Sequence, residues 1–311
     1  MKLWVINNTK LGYKNNSKEW LKNMFDYFDN QFIPFLKKNA KPGDKIIHLG
    51  NILNTTETVN ISTLLTVRDL FIRMSQIAPV HLIDGYSEKN GVSKIFINGT
   101  PPLFFVHNIN NVEELYGVKF IPNKNPLEHI TSNDKIVFTN NRIDTELLKK
   151  FPDILFLCGY SDDRKEDANV IQIGAPYQFD KTSSDKGFYV VEIETKKYKF
   201  VKNNYSPNYN TITITDISQI DDIDPDFVNK NFVNIVIDKS LIEDKKVKID
   251  MLLSKYNFKS VSYTNDVENI ELVDNASINI EEIIRDKIKN SDNKELVSEF
   301  ENILKIWKEK Y

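Results

Sequence analysis

Strand-like and helix-like segments alternate through the first 83 residues, and that order restricts the topologies open to the chain. Residues 3–7 (Leu-Trp-Val-Ile-Asn) read as a buried strand. Residues 17–38 then carry Trp20, Leu21, Met24, Phe25, Phe28, Phe32, Phe35 and Leu36 at helical spacing, with Pro34 expected to bend or split the helix. A turn at Lys41-Pro42-Gly43-Asp44 leads into a second strand at 45–49. Residues 59–77 are expected to be helical, with Leu64, Leu65, Val67, Leu70, Phe71 and Met74 on one side, and 80–83 form a third strand. Strand, helix and strand joined by short connections imply parallel strands with crossover helices.

Further strands are expected at 94–97, 103–107, 135–139, 154–158, 170–173 and 187–193. The alternation weakens there, and two stacked sheets flanked by helices account for it best. At Ser206-Pro207-Asn208 the pattern changes to a compact set: strands at 211–215, 232–238 and 260–264 and a helix at 247–256. The expected organisation is therefore a core over 1–207, a small α+β cap over 208–276 and a helical tail over 277–311. The tail spaces Leu296, Val297, Phe300, Ile303, Leu304 and Trp307 along one face, which suits docking on its own domain or on a partner.

Composition sets outer bounds. Apolar residues at 41% and charged residues at 27% describe a globular chain with a proper core. One cysteine, Cys158, excludes an internal disulfide and points to a reducing compartment, and the opening MKLWVINNTK lacks an apolar run of signal or membrane-spanning length. A cytoplasmic location with no membrane contact is the expectation. The formal charge of −3 does not advertise a general nucleic-acid binder, although a local basic face is compatible with it. No glycine-rich phosphate loop, cysteine pair or nucleophile elbow is present.

Five short segments at strand ends follow in order. They are Ile6-Asn7-Asn8-Thr9-Lys10-Leu11-Gly12, His48-Leu49-Gly50-Asn51-Ile52-Leu53-Asn54, Leu82-Ile83-Asp84-Gly85-Tyr86-Ser87-Glu88, Ile136-Val137-Phe138-Thr139-Asn140 and Leu157-Cys158-Gly159-Tyr160-Ser161-Asp162. Taken singly, their asparagines are polar loop residues, and His48 is a core histidine in an apolar strand. Taken in order, with Gly174-Ala175-Pro176-Tyr177-Gln178 and Lys186-Gly187-Phe188-Tyr189 downstream, they resemble the calcineurin-like metallophosphoesterases, in particular the SbcD and phage recombination endonuclease type.

The resemblance covers about residues 1–210 and implies a four-layer α/β/β/α sandwich with a cap and tail. In that family the segments carry Asp-x-His, Gly-Asp-x-x-Asp, Gly-Asn-His, a lone His and Gly-His-x-His, which bind two metal ions. Here Asn8 and Lys10 occupy the first ligand positions, Asn51 and Asn54 the second, Tyr86 and Ser87 the third, Asn140 the fourth, and Tyr160 and Asp162 the last.

Two divalent ions need anionic oxygens and neutral imidazoles around them. Asn offers a neutral carbonyl, Tyr and Ser neutral hydroxyls, and Lys10 a positive charge. The expectation is therefore no bound metal, no cofactor and no hydrolysis: a pseudo-nuclease that keeps the family's scaffolding roles in DNA recombination or repair. Its implied partners are DNA, an SMC-like ATPase held through the C-terminal helix, and further copies in a homo- or hetero-oligomer. Lys10 is a candidate phosphate contact, standing where the metals would supply charge. The alternative is an inactive phosphoesterase domain recruited as a structural, assembly or virion component. A third reading is an enzyme rebuilt on Tyr86, Ser87, Tyr160 and Asp162.

Overall fold

The computed structural model describes residues 1–54, 59–83, 85, 106–122, 124–141, 145–180, 185–241, 249–250, 253–254 and 260–264. Within them the chain is a mixed α/β structure built on two six-stranded sheets and one three-stranded sheet.

The first sheet has the order β12-β11-β1-β2-β3-β4. Its strands are β1 (Lys2–Ile6), β2 (Lys45–His48), β3 (Val80–Ile83), β4 (Val106–Ile109), β11 (Gly187–Glu192) and β12 (Tyr198–Lys202). Strands β1 to β4 are parallel, as the alternating segments imply, whereas β11 and β12 return antiparallel on one side. The second sheet has the order β5-β6-β7-β8-β10-β9, from β5 (Glu113–Leu115), β6 (Val118–Ile121), β7 (Ile136–Thr139), β8 (Leu155–Cys158), β9 (Lys165–Asp167) and β10 (Val170–Gln172). It too has a parallel centre and antiparallel edges.

Period-two alternation decides what each face of the first sheet meets. Leu3, Val5 and Ile47 point inward and share one buried cluster with Phe120, Phe138, Leu157 and Ile171 of the second sheet. Trp4, Ile6 and Ile46 point outward into a second cluster with the helices. On the far side of the second sheet, Val137, Phe156 and Cys158 pack with Leu148 and Ile154. Burial raises the Cys158 thiol to about 12, so it behaves as a small core hydrophobe.

The predicted helix over 17–38 forms, but in three pieces: α2 (Lys18–Tyr27), a π-helical turn (Phe28–Phe32) and α3 (Ile33–Asn39), after a short α1 (Tyr13–Asn16). Ser17 caps α2 by accepting from Trp20 N. Pro34 explains the break, because it cannot donate and its ring crowds the preceding turn. Widening that turn lets Ile33 N reach back five residues to Phe28 O, and Pro34 then sits in the first turn of α3, where no donor is needed.

Helix α4 (Ile61–Ser75) is shorter than 59–77 at both ends and is capped by Asn60. It buries Val67, Leu70, Phe71 and Met74; Leu65, placed on that face from sequence, is instead 49% exposed. None of the helices in the described residues is long and apolar enough to cross a membrane.

The third sheet is parallel throughout: β13 (Tyr209–Ile214), β14 (Phe232–Asp238) and β15 (Ser260–Thr264). A helix at Pro225–Lys230, capped by Asp224, lies between β13 and β14. Ile214, Val228, Val233 and Ile235 form its own small core, while Phe232 stacks on Trp20 of α2. The strand expected at 94–97, most of the helix at 247–256, and the tail carrying Leu296, Phe300, Ile303, Leu304 and Trp307 lie outside the described residues. Short polar edge strands such as β5 and β9 have no apolar period to announce them; pairing with a neighbour creates them.

Candidate functional site

Strands β1 and β2 are parallel neighbours, so the turns that follow them leave from the same edge and meet. Backbone hydrogen bonds join the turns: Asn8 N to Gly50 O (3.2 Å), Lys10 N to Asn51 O (3.0 Å), Leu11 N to Ile52 O (2.7 Å) and Asn54 N to Leu11 O (3.1 Å). This close fit uses left-handed backbone at Asn8 (φ 45°), Lys10 (42°), Gly50 (94°) and Asn51 (54°). Asparagine enters that region more readily than other side-chain-bearing residues, whereas Lys10 adopts it at a cost of about 1–2 kcal/mol.

The side chains then reach across to the second sheet. Asn51 Nδ2 donates to Asn8 Oδ1 (2.7 Å), and Asn8 Nδ2 donates to the carbonyl of Ser161 (2.8 Å), just beyond β8. Lys10 Nζ contacts Asp162 Oδ2 in an ion pair and lies 5.3 Å from the centre of the Phe179 ring. The two half-exposed side chains make this bridge a modest one, worth at most about 1 kcal/mol. Asp162 Oδ1, on the other side of the carboxylate, is buried and has no hydrogen-bond partner among the described residues.

Beside this bridge opens a cavity of about 460 Å³ lined by Tyr160, Asp162, Asp163, Phe179, Asp180 and Lys186. Tyr160 accepts from Gln172 Nε2 (2.5 Å). Lys186 is almost wholly buried, and its ammonium donates to the carbonyl of Asp162 (2.6 Å) with Asp163 at 3.5 Å. Burial pulls the Lys186 pKa below its ordinary value, while Asp163 and Asp162 act to hold it up.

The segment Gly174 to Gln178 braces the whole corner. Ala175 N donates to Asp162 O (2.9 Å), the Tyr177 hydroxyl donates to Thr9 O, and Gln178 Oε1 accepts from Tyr209 N (2.8 Å). Asn203 ties the following turn to it through Pro176 O (2.8 Å). The resemblance drew attention to this segment; contacts to both sheets account for its composition.

His48 is the core histidine that the apolar strand suggested. Its Nδ1 accepts from Gly50 N (3.1 Å), leaving the hydrogen on Nε2 to face Thr9 Oγ1 (3.1 Å), which itself donates to Ile52 O (3.2 Å). Complete burial lowers its pKa to about 3, so the ring is neutral.

Thus Asn8, Lys10, Asn51 and Asp162, distant in sequence, are in direct contact, and Tyr160 lines the adjoining cavity. Asn140 is buried at the end of β7, next to β8. Asn54 is an exposed loop residue that donates its backbone N–H to Leu11 O (3.1 Å), and Tyr86 and Ser87 lie outside the described residues. Sequence reasoning assigned no site role to Lys186, Phe179 and Asp180: Lys186 stood only within the Lys186–Tyr189 segment of the resemblance, and Phe179 and Asp180 had no signal beyond following the Gly-Ala-Pro-Tyr-Gln segment.

A two-metal centre demands lone pairs from carboxylates and imidazoles. At the aligned ligand positions, the described part of this corner supplies two amides engaged with each other and with Ser161, an ammonium, and one carboxylate already paired with it. These residues do not fit such a centre.

No protein-family model matches the chain, and no curated protein matches it. Among solved structures, a novel archaeal phosphodiesterase aligns over 65% of this chain and 99% of its own, at 13% identity and a TM-score of 0.36. A protein of unknown function from Aquifex aeolicus aligns over 50% of this chain and 87% of its own, at 15% identity and a TM-score of 0.28.

Proposed function

We propose that the chain is a non-catalytic relative of the SbcD-type nuclease subunits, with their four-layer core, acting as a scaffold or DNA-end-binding subunit in recombination. The observation that carries this reading is the Lys10–Asp162 ion pair beside the Asn8–Asn51 amide pair, at strand ends where the related enzymes hold two metals. In this reading the neutral amides, and a carboxylate already paired with Lys10, leave no ligand set for metal-activated water. The remaining task is binding, with Lys186 lining the cavity and Lys10 beside it as the described cations a phosphate would meet. A phosphate at Lys10 must displace or share Asp162, so DNA is expected to bind weakly and with strong salt dependence. In this reading the tail reaches an SMC-like ATPase.

The test has two arms on the full-length protein. Incubation with manganese or magnesium is expected to give no cleavage of single- or double-stranded DNA, and metal-dependent cleavage abolished by Asp162→Asn would establish the rebuilt enzyme instead. Blunt-ended DNA is expected to bind at low salt, and Lys10→Ala should lower the slope of log affinity against log salt by about 1. Native mass spectrometry of material from the natural source then identifies the partner. An ATPase or DNA supports the scaffold; capsid or tail proteins would replace it with the structural-component reading.

A further inference from the structure

At the opposite end of β1 from this corner, α3 leaves part of the first sheet's outer face uncovered. A groove of about 440 Å³ results, between α3 and strands β1, β11 and β12. Its floor is apolar, made by Phe35, Val190 and Val201 over the buried Trp4. Its rim carries Lys2, Lys38, Lys41, Lys197 and Lys199 against a single carboxylate, Glu192.

Alternation along the strands places these residues. Trp4 and Lys2 share a face of β1, and in register they meet Val190 and Glu192 of β11. Lys199 and Val201 continue that face on β12. Lys38 comes from the last turn of α3 and Lys41 from just beyond it, where cations also complement the helix dipole. That explanation does not extend to Lys2, Lys197 and Lys199.

One property separates this groove from an ordinary solvated surface: its lining carries an excess of four positive charges, in a protein whose formal net charge is −3. Charge of one sign gathered around a concave, low-dielectric wall focuses the field on the groove. Beneath it, the indole N–H of Trp4, which is 1% exposed, has no acceptor, an uncommon condition for a buried donor.

We propose that this groove binds a nucleoside di- or triphosphate, its phosphates on the lysine rim and its base on the Phe35, Val190 and Val201 floor. The ligand class follows from three matches. Polyphosphate carries three to four negative charges against the excess of four on the rim. A flat heterocycle suits a floor of aromatic and branched side chains. The volume falls in the range of pockets that hold ligands of this size. Inorganic phosphates would leave the apolar floor unused, and an uncharged nucleoside would leave the lysines unused. This proposal is independent of the DNA-scaffold reading.

The experiment is calorimetric titration of the full chain with ADP at low ionic strength. Single-site binding is expected, with adenosine and inorganic pyrophosphate each at least about tenfold weaker, since each forfeits one half of the contacts. The variant Lys38→Glu/Lys197→Glu/Lys199→Glu should lose at least about tenfold in affinity, while Lys22→Glu/Lys165→Glu/Lys230→Glu, with equal net charge, should stay within about twofold. Absence of ADP binding overturns the proposal, as does an equal loss in both variants. Pyrophosphate binding as tightly as ADP overturns it too, as does an oligothymidylate that binds this groove more tightly than ADP. Should the groove variant fail to fold, acetylation mapping of the wild type decides: ADP must shield Lys38, Lys197 and Lys199, and unshielded lysines sink the idea.

Discussion

Gly50→Ala is expected to destabilise the protein by about 4 kcal/mol, combining a left-handed backbone penalty with overpacking against main chain. The reason is specific to this glycine. With φ at 94°, a Cβ there would lie 2.6 Å from Gly85 N and 2.8 Å from Ile83 O, both backbone atoms that cannot turn aside. Gly43 supplies the control: its φ is 97°, yet a Cβ would meet nothing within 4 Å. Gly43→Ala should therefore cost only the conformational part, about 1 kcal/mol. Urea unfolding of the two variants measures the difference directly. Equal losses would mean that the turn after β2 does not pack against Gly85 as described, and the corner of Asn8, Lys10 and Asn51 would have to be redrawn with it.

Acidification should expose His48 in the same region. Its folded pKa of about 3 lies below the ordinary histidine value, so between those two pH values the unfolded chain binds the extra proton. Stability is then present above about pH 6.5 and is lost as pH falls through the window down to about 3. From pH 7 to 4.5, His48 alone should remove about 2.5 kcal/mol. His81 acts in the same direction, lowered to about 4 by burial and then by His107 and Lys45. Denaturant midpoints across this range should fall steeply in the wild type and less steeply in His48→Gln. Parallel curves would show that burial does not hold His48 neutral in the folded protein.

Much of the fold was legible beforehand. Strand β14 and strand β15 lie at the positions expected from their apolar runs, and β1, β2, β3, β7, β8, β10 and β11 fall within a residue or two. Strong periodicity in buried segments makes this possible, because burial on both faces leaves little room for polar residues. Edges and interruptions were not legible. Strands β5 and β9 are charged and brief, and the π turn before Pro34 depends on how the helix relieves a local clash. Leu65 fits the helical stripe yet faces outward, since a stripe records spacing and not the width of the surface beneath it.

The candidate site divides along the same line. The sequence by itself determined which chemistry is present at the strand ends: amides at Asn8, Asn51 and Asn140, a cation at Lys10, a phenol at Tyr160 and a carboxylate at Asp162. Residue identity is a local property. Only the tertiary structure decided that Lys10 and Asp162 neutralise each other, that Lys186 lies buried beneath them, and that five lysines ring a groove at the far end of β1. Those facts depend on distances between segments more than 150 positions apart along the chain, which packing of the two sheets sets and no local pattern encodes.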